Sequence, residues 1–231
     1  MLYLILFSCL GSKKITPPKQ NVSTVTFKFE KYVVKWDDGD TFSTQNKENG
    51  KKIRARLNGF NTLENYGPVH SWGKWQPEEL LSIATEAKHV AASQHWRCDE
   101  LPGGGGYGRV LVDCPDLRKE LILKGLAHPF SIDKPAPADD IELMRQAIGA
   151  KSGMWAKGAP RYLLTSLHSN DENPKSDAYN RVCDLKTGQC SPKTHTDVYK
   201  TCEKVCVEDS CMIFVPYKMR YGENKAECLK N

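Results

Sequence analysis

Hydrophobic and polar positions alternate between residues 24 and 36, where β-branched and aromatic residues are frequent, and this pattern predicts a β-strand. Asp38-Gly39 is a typical tight-turn pair and leads into a second predicted strand at residues 40–44. A third strand is predicted at residues 52–59. Residues 61–76 follow no period, so we expect a long loop there, of a length that often carries function.

Helical spacing replaces this alternation after Pro77, a residue tolerated in the first turn of a helix. One apolar stripe is predicted, formed by Leu80, Ile83, Ala84, Ala87, Val90 and Ala91. Two further strands are expected at residues 96–98 and 109–114, and two shorter helices at 116–124 and 139–151. About five strands with three interspersed helices predict an α+β fold built on a small five-stranded barrel such as the OB-fold.

Changes in composition predict three regions. Residues 1–22 hold an apolar run that is too short to span a bilayer and resembles a secretory signal, followed by a polar tether. Leu6-Phe7-Ser8-Cys9 looks like a bacterial lipobox, which makes Cys9 a lipidation candidate; an ordinary cleaved signal or a misplaced start codon are the alternatives. Residues 23–165 form the predicted main domain, and residues 166–231 a cysteine-rich extension.

The charge and cysteine content narrow the class of protein. Hydrophobic residues make up 39% and charged residues 26% of the chain, which excludes a disordered or membrane-spanning protein, and the net charge of +5 suits an anionic partner. Of nine cysteines, eight remain if Cys9 carries lipid. Disulfides are favoured over a metal site because no CxxC pair occurs, and the six cysteines of the extension allow 15 pairings. We therefore expect an exported protein.

Four short polar motifs follow one another along the chain in a fixed order. The set comprises Asp38-Gly39-Asp40-Thr41, Arg56, Asn61-Thr62-Leu63-Glu64 and Tyr107-Gly108-Arg109. Carboxylates, an amide and arginines are the groups that phosphodiester cleavage with a hard cation requires, because oxygen ligands hold the cation and guanidinium groups bind phosphate.

Together with Gly125-Leu126-Ala127 and Gly153-Met154-Trp155, these motifs make residues 24–160 resemble the thermonucleases, the staphylococcal-nuclease-like domain family. Cysteines at 98 and 114 on either side of the Tyr107 motif also resemble exported bacterial members, which implies a Cys98–Cys114 disulfide. The resemblance implies an OB-fold barrel, calcium, and hydrolysis of DNA and RNA.

The resemblance also implies roles for individual residues. Asp40 and the backbone carbonyl of Thr62 take the places of metal ligands, and Asn61 stands where the family usually has a second metal-binding aspartate. We expect this amide to weaken metal binding, since affinity follows ligand charge. The family's nucleotide-stacking tyrosines are not matched, because Ser131 and Asp133 fall there.

The catalytic groups map in the same way. Arg56 and Arg109 take the places of the phosphate-binding arginines, and Glu64 that of the general base. Spacing favours Arg56 over Arg54 for this role. Tyr107 is either a substrate contact or a core residue.

Two functions from different classes remain open. The first is an exported or membrane-anchored monomeric nuclease acting on DNA or RNA, with membrane contact only through lipid on Cys9. The second is an OB-fold module that binds nucleic acid or an envelope partner without cleaving it. Trp72 and Trp75, together with His70, either stack on nucleic acid or anchor the long loop, and anchoring is favoured.

Overall fold

The computed structural model describes residues 23–28, 30–67, 69–173 and 175–230 and has an α+β fold. The predictions for residues 1–22, including lipidation of Cys9, lie outside the described residues. No helix in the described part of the chain has both the length and the apolar character that crossing a membrane requires.

The described residues form sixteen strands and three α-helices. The strands are β1 (Thr24–Phe27), β2 (Glu30–Val33), β3 (Lys35–Trp36), β4 (Thr41–Gln45), β5 (Lys52–Leu57), β6 (Phe60–Thr62), β7 (His70–Trp72), β8 (His95–Arg97), β9 (Asp99–Leu101), β10 (Val110–Asp113), β11 (Ala127–Pro129), β12 (Tyr162–Ser166), β13 (Ala178–Asp184), β14 (Gln189–His195), β15 (Lys204–Val207) and β16 (Ser210–Ile213). The helices are α1 (Pro77–Ala92), α2 (Pro115–Leu123) and α3 (Ala138–Gly149).

A five-stranded sheet in the order β3-β4-β5-β10-β9 forms the centre of the main domain. Its β5 and β10 run parallel, while the other neighbours are antiparallel. A second sheet, β2-β1-β8, lies beside it. The described strands form five separate sheets and no closed barrel. The prediction of about five strands therefore matches the central sheet alone and not the whole set of described strands.

The single strand predicted for residues 24–36 is wrong. The chain reverses near Lys28, whose φ of 52° is left-handed, and β1 pairs antiparallel with β2. β3 then joins the central sheet. The alternating pattern persists through the reversal, because both strands of this hairpin bury one face and expose the other.

The three predicted helices are confirmed, each beginning within one residue of its predicted start. The backbone N–H of Gln76 donates to Glu79 Oε2 at 3.0 Å at the start of α1, which satisfies one of the donors that a helix terminus leaves unpaired. The buried face of α1 consists of Leu80, Ala84, Ala87 and Ala91. The helical stripe therefore packs against the main core as its spacing predicts.

The long loop expected at residues 61–76 contains regular structure. β7 lies within it and pairs antiparallel with β16 of the extension, with Ser71 opposite Cys211. The predicted boundary between residues 165 and 166 falls within β12, which pairs with β13. Backbone hydrogen bonds in two sheets thus join the extension to the main domain.

The eight cysteines of the described residues form four disulfides, which confirms the prediction of disulfides and the Cys98–Cys114 pair. The three pairs in the extension are Cys183–Cys190, Cys202–Cys228 and Cys206–Cys211. Four disulfides indicate an oxidising, extracytoplasmic environment.

Candidate functional site

Four of the residues singled out from the sequence meet in one cluster of hydrogen bonds. Asp40 immediately precedes β4, and Arg56 lies on β5 opposite Thr41. Asn61 and Thr62 form the end of β6. Because β4 and β5 are antiparallel neighbours and the chain returns sharply after β5, residues distant in sequence come together here.

Asp40 forms the buried centre of this cluster, with 4% of its surface exposed. Its Oδ1 accepts from the Arg56 guanidinium and from Thr41 Oγ1, and its Oδ2 accepts from the Thr62 N–H at 2.8 Å and from Thr62 Oγ1 at 3.2 Å. Burial alone would raise the pKa of Asp40, but Arg56 and the Thr62 N–H outweigh it and hold the pKa below its usual value. Asp40 is therefore a carboxylate at neutral pH.

The amide of Asn61 links Arg56 to the backbone. Arg56 Nη2 donates to Asn61 Oδ1 at 2.6 Å and to the Phe60 carbonyl at 3.2 Å, and Asn61 Nδ2 donates to the Thr62 carbonyl at 2.9 Å. The Asn61 oxygen thus accepts a hydrogen bond from a charged guanidinium, as a carboxylate oxygen would.

The oxygen atoms of this cluster fit a hard cation such as calcium, because Asp40, Asn61 and the Thr62 carbonyl could each supply an oxygen ligand. In the arrangement described, Arg56 supplies the positive charge that Asp40 requires, and each oxygen of the set already accepts a hydrogen bond. No group of three His, Cys, Asp or Glu residues suited to a metal occurs among the described residues. A cation at this cluster would have to compete with Arg56.

Glu64 differs from Asp40 in having no partner for its carboxylate. It is partly buried, its backbone N–H donates to His70 Nε2 at 3.2 Å, and its side chain makes no hydrogen bond or ion pair within the described part of the chain. Burial and then the charge of Asp40 raise its pKa, while Arg220, Arg56 and Arg109 act in the opposite direction. An unpaired carboxylate with a raised pKa is suited to accept a proton.

His70 anchors the backbone of Glu64. It is buried, and burial followed by the nearby His128 lowers its pKa to about 3, so the imidazole is neutral. Its Nε2 must therefore be the acceptor for the Glu64 N–H. Trp72 and Trp75 are also buried and donate to the carbonyls of Gly158 and Met154 at 3.1 and 2.8 Å. These aromatic residues anchor the loop.

Arg109 is held by the glycine-rich segment before it. Its Nε donates to the carbonyls of Gly105 at 3.0 Å and Gly106 at 3.1 Å. A Cβ on Gly105 would lie 2.6 Å from the Arg56 Cβ, so glycine is required for this segment to approach Arg56. Tyr107 is 82% exposed, which excludes the core alternative, and Arg109 lies 5.8 Å from its ring centroid.

A groove of about 2180 Å³ passes over the cluster. It is lined by Glu64, Arg56 and Arg109, and also by Arg54 and Tyr107. Guanidinium groups beside an unpaired carboxylate can bind phosphate oxygens while the carboxylate accepts a proton from an attacking water.

The extension contributes groove residues that sequence reasoning missed, among them Arg220, Tyr217 and Tyr221. The segment Tyr217-Lys218-Met219-Arg220-Tyr221 interleaves aromatic and basic residues, a pattern typical of single-stranded nucleic-acid contacts. This signal could have identified the segment, although not its position beside Glu64.

A scan of protein-family models and a search of curated proteins find no match to this chain.

Proposed function

We propose that this protein is a calcium-assisted phosphodiesterase that hydrolyses DNA or RNA outside the cytoplasm. The observation that carries the proposal is the unpaired carboxylate of Glu64, which lines the groove together with Arg56 and Arg109. The order of the motifs supports assignment to the thermonuclease-like family and its OB-fold, as does the five-stranded central sheet. Secretion, as a lipoprotein through Cys9 or in free form, agrees with the four disulfides.

In this proposal each residue has a separate task. Glu64 accepts a proton from the water that attacks phosphorus. Arg109, held by the carbonyls of the glycine segment, and Arg56 bind the phosphate oxygens and stabilise the charge that develops on them. Tyr107 is exposed at the groove and contacts the substrate.

Asp40, Asn61 and the Thr62 carbonyl would hold the calcium ion. When bound, calcium supplies positive charge to the phosphoryl group and orients water. Arg56 pairs with Asp40 in the arrangement described and would exchange that partner for a phosphate oxygen in the substrate complex.

A digestion assay tests the proposal. The chain without residues 1–22 is purified and incubated with plasmid DNA or with RNA, with calcium, with other divalent metals, or with chelator. We expect degradation that requires calcium and stops with chelator. Inactivity on both substrates across all metals would refute the enzyme and leave the second candidate, an OB-fold module that only binds nucleic acid or an envelope partner.

That second candidate is favoured by one observation, the engagement of Asn61 and Asp40 by Arg56. The variant Asn61→Asp distinguishes the nuclease from the binding module. Because the change adds a negative oxygen ligand, we expect calcium affinity measured by calorimetry to rise by about tenfold. Asn65→Asp, on the same loop but hydrogen-bonded through its amide to the Asp37 carbonyl, is the matched control for added charge. An equal gain in both variants would speak against a ligand role for residue 61.

A further inference from the structure

Two tyrosine rings of the extension are exposed at the groove. Tyr217 is 68% and Tyr221 59% exposed, and both line the same groove as Glu64. Partial burial, and after it the charge of Glu64, raises the pKa of Tyr221 to about 12, in agreement with a position near that carboxylate. Large aromatic side chains left in solvent beside a polar site are characteristic of binding surfaces.

Arg220 lies between these two tyrosines in the sequence, and most of its donors are available. Its Nε donates to the Val215 carbonyl at 2.9 Å, and its guanidinium lies 5.0 Å from the ring centroid of Tyr66. Its Nη groups make no hydrogen bond or ion pair with the residues that the structure describes. Arg220 also lowers the pKa of Glu64, more strongly than Arg56 or Arg109 does. A guanidinium so held offers a fork of donors to an anion.

This segment is fixed against the loop that carries Glu64. A small apolar cluster joins the two, formed by Tyr66, Val69, Val215, Ala226 and Leu229. A Cβ on Gly67 would overlap the Leu229 side chain, so the chain end packs directly on the loop backbone. The Cys202–Cys228 disulfide closes the segment that contains Arg220. The donors and rings are thus positioned by packing before any ligand binds.

We propose that the extension builds a nucleotide-binding subsite from Arg220, Tyr217 and Tyr221, which holds one nucleotide unit of a single-stranded nucleic acid beside Glu64. The proposal rests on the proposed function and adds to it a preference for single strands. Arg220 binds a phosphate next to the one that is cleaved, and a base stacks on the tyrosine rings.

The preference for single strands follows from the chemistry of stacking. A base in a duplex is already stacked on its neighbours, and it is available to a protein ring only after it leaves the helix. Because any base has a π-face, the subsite tolerates different sequences. The stacking contribution to affinity should therefore appear with single-stranded DNA and be absent with a duplex of the same sequence.

The experiment measures binding separately from cleavage. All variants carry Glu64→Gln, so that the probe is not consumed, and the probe is a short fluorescein-labelled single-stranded DNA followed by fluorescence anisotropy with calcium present. We expect Tyr217→Ala with Tyr221→Ala to weaken binding about tenfold and Arg220→Gln to weaken it by a similar factor. The double tyrosine variant should bind the duplex probe as the parent does, whereas Arg220→Gln should weaken binding of both probes, because both carry phosphates.

Matched variants distinguish ring stacking and the specific role of Arg220 from a general loss of positive charge. Tyr217→Phe with Tyr221→Phe keeps both rings, so it should bind like the parent. Lys218→Ala removes a positive charge from the same turn at an exposed position outside the groove, so it should change affinity by less than twofold. Melting curves check folding, and Tyr217→Ala alone repeats the test at the most exposed of the three side chains.

The outcomes distinguish the subsite from the proposed function. If the Glu64→Gln parent binds the single strand and the double alanine variant binds it equally well, the subsite is overturned while the nuclease proposal stands. Equal losses for Lys218→Ala and Arg220→Gln would overturn a specific role for Arg220. A parent that binds no nucleic acid would overturn both proposals.

Discussion

At the scale of single residues, the two carboxylates of Asp40 and Glu64 have opposite environments although they line one groove. Asp40 accepts four hydrogen bonds and has a lowered pKa, whereas Glu64 accepts none from the described residues and has a raised pKa. Environments that move two pKa values apart assign different tasks to two like groups. Asp40 is therefore suited to hold positive charge and Glu64 to exchange a proton.

Glu64→Gln tests this assignment. The amide cannot accept the proton, so we expect kcat to fall by about a hundredfold or more, while the melting temperature stays close to that of the parent because the carboxylate makes no bond to lose. Steady-state cleavage of DNA is the measurement. Glu78→Gln, an exposed position on α1, should leave kcat unchanged; a fully active Glu64→Gln variant would show that the base is misassigned.

The buried His70 makes stability depend on pH. Its pKa of about 3 in the folded state lies below the value of about 6.5 in the unfolded chain, so the unfolded state binds the proton first as pH falls. The stability contribution of neutral His70 is complete above about pH 6.5 and is lost as pH falls toward about 3; at pH 5 the loss is about 2 kcal/mol. Urea unfolding at both pH values measures it.

In His70→Gln this titration is absent, so we expect the stability difference between pH 7.5 and pH 5 to shrink by about 2 kcal/mol. His89→Gln, an exposed histidine on α1, should keep the full difference. Equal slopes for the parent and His70→Gln would show that position 70 is not a buried neutral imidazole.

At the scale of elements, the sequence predicted correctly the helices whose formation depends on neighbouring residues. α1 follows from Pro77 and a stripe of apolar positions, and it lies where the spacing predicts. The reversal at Lys28 could not be predicted, since no glycine or proline marks it. β7 was missed because its pairing with β16 is set by residues far along the chain, which no short window of sequence contains.

The Cys98–Cys114 disulfide joins the end of β8 to the start of α2 and closes the segment that carries Tyr107 and Arg109. Replacing both cysteines by alanine should lower the free energy of unfolding by about 3 kcal/mol, because a cross-link over a loop of this length restricts the unfolded chain. Chemical denaturation measures the loss. Rapid alkylation of Cys98 or Cys114 in the native, unreduced protein would contradict the pairing.

At the scale of the whole molecule, the sequence predicted the residues that the main domain contributes to the candidate site but not those that the extension contributes. Asp40, Arg56, Asn61 and Thr62 come together as expected, because β4 and β5 are antiparallel neighbours and β6 follows β5 after a sharp turn. Arg220 lines the same groove as Glu64 only because the extension packs on the Tyr66 loop. The sequence separation of the two residues carries no information about this arrangement, so the extension's contribution became visible only in the fold.

If the extension positions Arg220 beside Glu64, then its two disulfides that lie near β16 should differ in their effect on cleavage. Cys202–Cys228 closes the segment that contains Tyr217, Arg220 and Tyr221, whereas Cys206–Cys211 joins only the adjacent strands β15 and β16. We expect Cys202→Ala with Cys228→Ala to raise KM for single-stranded DNA about tenfold at a temperature where the protein remains folded, because the subsite is no longer fixed before binding. Cys206→Ala with Cys211→Ala should change KM by less than twofold, since the hairpin keeps its backbone hydrogen bonds. Circular dichroism at the assay temperature establishes folding in both variants, and equal KM values for the two pairs would show that the extension does not position the substrate.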